Sequence, residues 1–268
     1  MKWLYDAITQ GNPLNYQFEF YLWTLNIIRT MLKQERGITL SKSAVSRLLG
    51  HLGLSPQRPI YKSYKQNPEK IQKYLTETFP DAVAQAKEMG ATIFFVDEAS
   101  VRSDAHRGLS WGKVGETPVV RNSGGRFNLN VISAITPRGD MRFSFIDGKM
   151  DSQRFIAFLK KLQKDAEKPI LVITDNARYH HSKATQAFIE KQDGAIQVVF
   201  LPAYSPELNP DEQVWNHAKA RLSKRSILTK EDMKAGLLSI LRSLQKQTAL
   251  IKSFFRMKDT HYILDIIA

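Results

Sequence analysis

Cysteine is absent from the 268 residues, which excludes disulfides, thiolate zinc sites and a cysteine nucleophile outright. Long apolar runs are absent as well: no stretch approaches the roughly 18 to 20 apolar residues a membrane span needs. Residues Met1 to Gln10 carry Asp6 and lack the apolar centre of a secretory leader. The six histidines show no HExxH or similar metal-ligand spacing. There is no internal repeat and no low-complexity tract. What remains has an ordinary hydrophobic content of 43%, enough for one large domain and a small one.

Acidic residues are outnumbered, 26 Asp and Glu against 39 Lys and Arg, for a net charge of +13. Such an excess is the footprint of a polyanion binder; the plain alternative is a basic but inert surface. Residues 1 to 75 hold 11 Lys or Arg and 4 Asp or Glu. More than half of the excess therefore falls where a separate DNA-binding module would sit.

Phe18, Tyr21, Leu22, Leu25, Ile28 and Leu32 recur at three and four, predicting a helix over 17–35 that Gly37 ends. A second helix is expected from Ser41 or Ser43, with Val45, Leu48, Leu49 and Leu52 on one face and Gly53 as its stop. Two helices across a short glycine-containing turn fit a helix-turn-helix, although any small helical hairpin has this pattern. Lys42, Ser43, Ser46 and Arg47 fall on the exposed side of the second helix, suited to groove and phosphate contacts. Residues 54–66 hold two prolines and a basic stretch, expected to be a linker that tracks DNA backbone through Arg58, Lys62 and Lys65. A helix from Pro68 to Met89 follows, with Gly90 as its stop.

From Ala91 the period changes. Ile93 to Val96 reads as a central strand covered on both faces. Leu129, Val131 and Ser133, then Met141, Phe143 and Phe145, alternate as antiparallel strands about a Pro137-Arg138-Gly139-Asp140 turn. Next come a helix over 151–165, a strand at Ile170 to Thr174, a helix over 182–192 and a strand at Val198 to Leu201. Helices over 210–225, 230–245 and 248–257 complete the pattern. This order is that of an α/β, ribonuclease H-like domain following an all-α helix-turn-helix segment. The expected boundaries are 1–66 for the DNA-binding segment with its basic linker and 67–268 for the catalytic domain with C-terminal helices.

Asp97 and Asp175 directly follow apolar strands, where carboxyl ends commonly line a crevice. Glu212 lies in the first turn after Asn209-Pro210. Three such acids can converge on hard divalent cations, the requirement for activating a nucleophile and relieving charge on a leaving phosphate oxygen. Each also has a plainer reading. Asp97 ends a strand, with Glu98 beside it as an alternative ligand. Asp175-Asn176 forms an Asx turn, and Glu212 occupies the capping-box position if Asn209 is the N-cap.

The stretch LPAYSPELNPDEQVWNHAK, Leu201 to Lys219, resembles the third catalytic block of mariner-like insertion-sequence transposases of the DDE endonuclease superfamily. ITDNARYHHS around Asp175 and FFVDEASV around Asp97 resemble the first two blocks, and WGKVGETPVV the strand-turn region between them. Trp23 to Pro59 is similar to the family's second helix-turn-helix. The resemblance implies a catalytic and metal-holding triad of Asp97, Asp175 and Glu212. It also implies magnesium or manganese, two ions, double-stranded DNA at element ends and at a TA target, and a homodimer without membrane association. The expected location is the bacterial cytoplasm, at the nucleoid. Family members usually carry a further helix-turn-helix upstream; the residues before Trp23 are too few to hold it. A truncated, non-catalytic DNA-binding protein or repressor is thus the rival, and a nuclease for RNA in hybrids a third reading.

Around the triad, Asn176 and His180 are candidates to orient phosphate or water, with local turn bonding as the alternative. Trp215 is a candidate base stacker against the reading of a core anchor. Lys219 shares the face of Glu212 and is a candidate phosphate contact.

Overall fold

The computed structural model describes residues 1–57, 59, 63–104, 110–111, 113–119 and 125–267. The chain forms two compact units, Met1–Tyr61 and Lys62–Ala268.

Among the described residues the first unit packs the α-helices α1 (Lys2–Gln10), α2 (Leu25–Arg36) and α3 (Lys42–His51). Ile28, Met31 and Leu32 of α2 close over Leu4 and Ala7 of α1 and Val45 of α3, all buried. The helix expected from residue 17 begins only at Leu25. Thr24 caps it by accepting from Ile27 N–H at 3.2 Å, and Gln17 sits at φ 63, outside any helix. Of the residues that set the period upstream, Phe18 packs on the core from a loop, while Tyr21 and Leu22 are exposed. α1 had not been anticipated. α2 stops at Gly37, whose φ of 68 is the left-handed cap that glycine adopts without a Cβ penalty. Ser41 caps α3 through Ala44 N–H at 3.2 Å.

The second unit opens with α4 (Pro68–Lys73) and α5 (Phe79–Glu88), joined by a π-type turn over Tyr74–Thr78. One helix had been expected here. Pro80 has no N–H to give the carbonyl of Thr76, so the hydrogen-bond ladder widens just before it. Among the described residues five strands follow: β1 (Thr92–Arg102), β2 (Asn128–Ile135), β3 (Met141–Ile146), β4 (Ile170–Thr174) and β5 (Ile196–Phe200). Between β3 and β4 lies α6 (Ser152–Ala166), and between β4 and β5 lies α7 (Lys183–Glu190). After β5 come α8 (Glu212–Leu222), α9 (Lys230–Gln245), α10 (Thr248–Phe254) and α11 (Tyr262–Ile267), the last not foreseen.

The sheet order is β3-β2-β1-β4-β5, with β1 antiparallel to β2 and parallel to β4. This is the ribonuclease H-like arrangement expected from the element order. Period-two alternation sends Phe95, Ala99, Leu171 and Ile173 to one face, against α5, α8, α9 and α10. Phe94, Val96, Ile170 and Val172 go to the other, against Phe155, Phe158, Leu159 and Leu162 of α6. β1 and β4 are covered on both sides, which is why Ile93 to Val96 and Ile170 to Thr174 read as continuous apolar runs. Among the described residues, no helix is long and apolar enough to cross a membrane.

Candidate active site

β1 does not end at Asp97, as its sequence implied, but runs on to Arg102. Its parallel pairing with β4 stops at Phe95↔Ile173, while pairing with β2 continues through Asp97↔Ser133. Asp97 therefore sits mid-strand, where one flank of β1 has lost its neighbour and opens into a cleft. Asp175 follows the last residue of β4. Glu212 is the first residue of α8, and Asp211 occupies the N-cap position without a side-chain cap bond. The capping-box reading, with Asn209 as N-cap, does not hold: Asn209 instead spends its side chain on Val96 and Asp211.

Asp97, Asp175 and Glu212 line one cleft of about 380 Å³, together with Asn176, Ala177, Asn209 and the loop Leu201 to Pro206. Asn209, buried, donates from Nδ2 to the Val96 carbonyl at 3.1 Å and accepts from Asp211 N–H at 3.1 Å. One side chain thereby ties the start of α8 to β1 next to Asp97. Tyr204 on the cleft wall takes φ 61, a left-handed conformation costly for a side chain with a Cβ. Its carbonyl accepts from Gln66 Nε2 at 3.2 Å.

The charges are crowded. Burial, then the carboxylates of Glu212, Asp211, Glu98 and Asp175, push Asp97 well above the usual carboxylate range. Burial also raises Glu212; the Lys219 ammonium lowers it and Asp175 raises it further. Asp175 behaves oppositely. Burial acts to raise it, but hydrogen bonds from His180 and from Ala177 N–H outweigh that and hold it below the ordinary value. Asp211, which the sequence pattern does not single out, is fully buried: Ser133 Oγ donates to its Oδ2 at 2.8 Å, and among the described residues Oδ1 has no hydrogen-bond partner. Burial drives it well above its ordinary value despite the Ser133 bond. The signal available for it was adjacency, a second carboxylate directly before Glu212 and inside a buried turn.

The remaining site residues divide by what they touch. Asn176 donates from Nδ2 to the Leu201 carbonyl and accepts from His181 at 3.0 Å, joining the ends of β4 and β5 at the cleft. Ala177 N–H donates to Asp175 Oδ1 at 2.9 Å, so the Asx turn is present and coexists with exposure to the cleft. His180 is buried, with Nε2 at 3.1 Å from Glu98 Oε1 and Nδ1 at 3.0 Å from the Asp175 carbonyl. Burial alone would lower it, but Asp175 and Glu98 raise it to about 9. Trp215 is 1% exposed and is a core anchor; burial leaves it no face for a base. Lys42, Ser43, Ser46 and Arg47 all lie on the exposed side of α3, and Lys65 lies with its ammonium 5.7 Å from the Tyr204 ring. Arg58 and Lys62, like Gly112 and Val120 of the strand-turn region, fall outside the described residues.

Residues 92–234 match the family described as DDE superfamily endonuclease, and residues 19–78 match the winged helix-turn-helix family. The chain belongs to the DDE endonuclease superfamily. It is 23% identical over 217 residues to an uncharacterized 39 kDa protein of insertion element IS630 from Shigella sonnei, covering 79% of this chain and 61% of that protein. It is 26% identical over 183 residues to the Tc3 transposase of Caenorhabditis elegans, covering 64% of this chain and 54% of that one. The chain thus spans less than two thirds of the length of these relatives. Among solved structures it is similar to the Mos1 mariner paired-end complex with manganese, at 16% identity and a TM-score of 0.65 over 95% of this chain and 75% of that one. The isolated Mos1 catalytic domain aligns with a TM-score of 0.53 at 14% identity, over 77% of this chain and 96% of that one. At these identities the structural likeness speaks for the fold.

Proposed function

We propose that the chain acts as an insertion-sequence transposase, cutting DNA at element ends and joining the freed 3′-hydroxyl to target DNA. The observation that carries this reading is the meeting of Asp97, Asp175 and Glu212, from a mid-strand position, a strand end and a helix start, on one cleft.

The residues suit a hard divalent cation. Their donors are all carboxylate oxygens, and burial with four neighbouring carboxylates leaves Asp97 short of positive charge. Asp97, Asp175 and Glu212 would hold magnesium or manganese, and we assign two ions to the site. When bound, such ions supply activation of the attacking oxygen and relief of charge on the leaving one. Asp97 is the candidate shared ligand, because both Glu212 and Asp175 press on its charge. Glu212 completes the set from the rim, where Lys219 offsets part of its charge. Asn176 and Asn209 hold the cleft walls together rather than entering the chemistry. No covalent link to the protein is required at any step.

The partner is double-stranded DNA, read through Lys42, Ser43, Ser46 and Arg47 of α3 and through the basic stretch containing Arg58, Lys62 and Lys65. These cations supply a salt-sensitive phosphate contribution to affinity. Assembly as a homodimer and a location in the cytoplasm at the nucleoid complete the reading. The test is a nicking assay on DNA bearing the flanking element ends, with magnesium or manganese, comparing wild type with Asp175→Ala. Metal-dependent nicking absent from the variant supports the assignment. Nicking that survives in Asp175→Ala overturns it, and DNA binding without any cleavage favours the binding-only rival.

A further inference from the structure

The alternation of β1 separates its two adjacent acids. Asp97 shares the parity of Phe95 and Ala99, on the face that packs against α8, which carries Glu212. Glu98 shares the parity of Phe94 and Val96, on the face that packs against α6. Behind the cleft on that second face lies His180, its side chain 0% exposed. Its ring centroid lies 4.2 Å from that of Phe155 of α6, in a tilted contact, and 4.5 Å from that of Tyr179, edge-on. Neither Glu98 nor His180 lines the cleft that holds the triad.

Glu98, Asp175 and His180 bring one ligand-type atom each within 4.8 Å of one another. A metal centre is one reading of that cluster, and the hydrogen bonds argue against it. Nε2 of His180 lies 3.1 Å from Glu98 Oε1, and Nδ1 lies 3.0 Å from the Asp175 carbonyl and 3.1 Å from its Oδ1. Both ring nitrogens are engaged by oxygens, whereas a ligating imidazole keeps one nitrogen free for the ion.

Building on the transposase reading, we propose that His180 is a positioning residue, braced by Glu98, that fixes which oxygen of Asp175 faces the cleft. Asp175 stands beyond its strand with a side chain 56% exposed, so nothing in β4 itself selects a rotamer. Two donors converge on Oδ1, the His180 ring at 3.1 Å and Ala177 N–H at 2.9 Å. Among the described residues Oδ2 has no hydrogen-bond partner, and it is the oxygen left for the cleft. The imidazole is in turn held from behind by Glu98 on the central strand and by Phe155, so the restraint is anchored in the core. Outer partners of this kind typically set metal affinity by about 10- to 100-fold.

The experiment is a titration of the metal-free full chain with Mn²⁺ followed by electron paramagnetic resonance, beside thermal melts in EDTA. Wild type is compared with Asp175→Asn, His180→Ala, His180→Asn and Glu98→Gln. Asn carries an amide near the position of Nδ1 and can still reach Asp175, so the expected order of Mn²⁺ affinity is wild type, then His180→Asn, then His180→Ala. The last is expected to be weaker by about 10- to 100-fold. Glu98→Gln keeps an oxygen toward Nε2 and is expected to stay within about threefold of wild type. Loss in Glu98→Gln as deep as in Asp175→Asn makes Glu98 a ligand and overturns the proposal. So does a folded His180→Ala with wild-type affinity. Wild type that neither binds Mn²⁺ nor nicks DNA brings down the transposase reading and this inference with it. Wild type that nicks while His180→Ala binds metal normally brings down the inference alone.

Discussion

Nδ2 of Asn209 lies 3.1 Å from the carbonyl of Val96, across 113 positions of sequence, and fixes the start of α8 beside Asp97. Asn209→Ala leaves the Val96 carbonyl and the Asp211 amide without partners in a buried place, at a cost of about 1–3 kcal/mol. Asn209→Asp is expected to be no better, because a carboxylate would then face a carbonyl oxygen. Urea denaturation of both variants checks this; wild-type stability in Asn209→Asp would remove the bond from the account.

Ser133 stands opposite Asp97 on β2 and donates to Asp211 at 2.8 Å. Asp211 is raised well above its ordinary value, chiefly by burial. A carboxyl raised on folding weakens the fold progressively as pH climbs above its unfolded value of about 4. Asp211→Asn keeps an acceptor for Ser133 and removes that cost. In EDTA it should melt above wild type at pH 7, with the gap closing near pH 4. Nicking should stay within about tenfold of wild type, since Asp211 is absent from the cleft wall, while Asp97→Asn should abolish it. Equal loss in both variants would make Asp211 part of the catalytic set.

The sequence disclosed what repeats locally. Apolar runs located β1 and β4, and the stretch around Tyr204 to Glu212 located the third acid. It did not disclose what depends on pairing across the sheet. That β1 runs to Arg102 follows from its bonds to β2 beyond Phe95, and those partners lie more than 25 residues away. The two faces of β1 were implicit in alternation, yet which acid meets Glu212 and which meets His180 required knowing where α6 and α8 pack. Upstream, Phe18, Tyr21 and Leu22 imitate a helical period, yet of these Phe18 packs on the core from a loop and Tyr21 and Leu22 stay exposed. The break between α4 and α5, by contrast, was readable from Pro80 alone.

His180 contributes to stability with a definite sign. Its value of about 9 exceeds the ordinary 6.5. The contribution is therefore fully present below about pH 6.5 and is lost as pH rises through about 9. At most it amounts to about 3 kcal/mol for the shift. Metal-free wild type should lose melting temperature between pH 7 and 9.5, more steeply than His180→Asn, which has no group titrating there. Parallel curves for the two proteins would count against the coupling.

Gly139, in the turn between β2 and β3, takes φ 91, and a Cβ there would lie 2.5 Å from Thr248 Cγ2 and 2.7 Å from the Thr248 carbonyl oxygen of α10. Gly139→Ala thus meets both backbone strain and a clash, each worth about 1–3 kcal/mol. Gly194 has φ 82 and open space around it, so Gly194→Ala meets the strain alone. Calorimetry should find the first variant melting clearly below the second; equal melting temperatures would mean that the turn moves off α10 freely.

Trp215 separates packing from recognition. It is 1% exposed, and among the described residues its Nε1 lacks a hydrogen-bond partner. Trp215→Ala empties a large core position and should cost about 3–5 kcal/mol. Trp215→Phe gives up volume but also removes a buried unpaired N–H, so its loss should be much smaller. Because the indole lies inside the sheet-facing core, neither variant should change DNA affinity when measured well below its melting temperature. Fluorescence anisotropy on a duplex, read beside the melts, tests this. A tenfold loss of affinity in a fully folded Trp215→Phe would restore the stacking role that burial denies it.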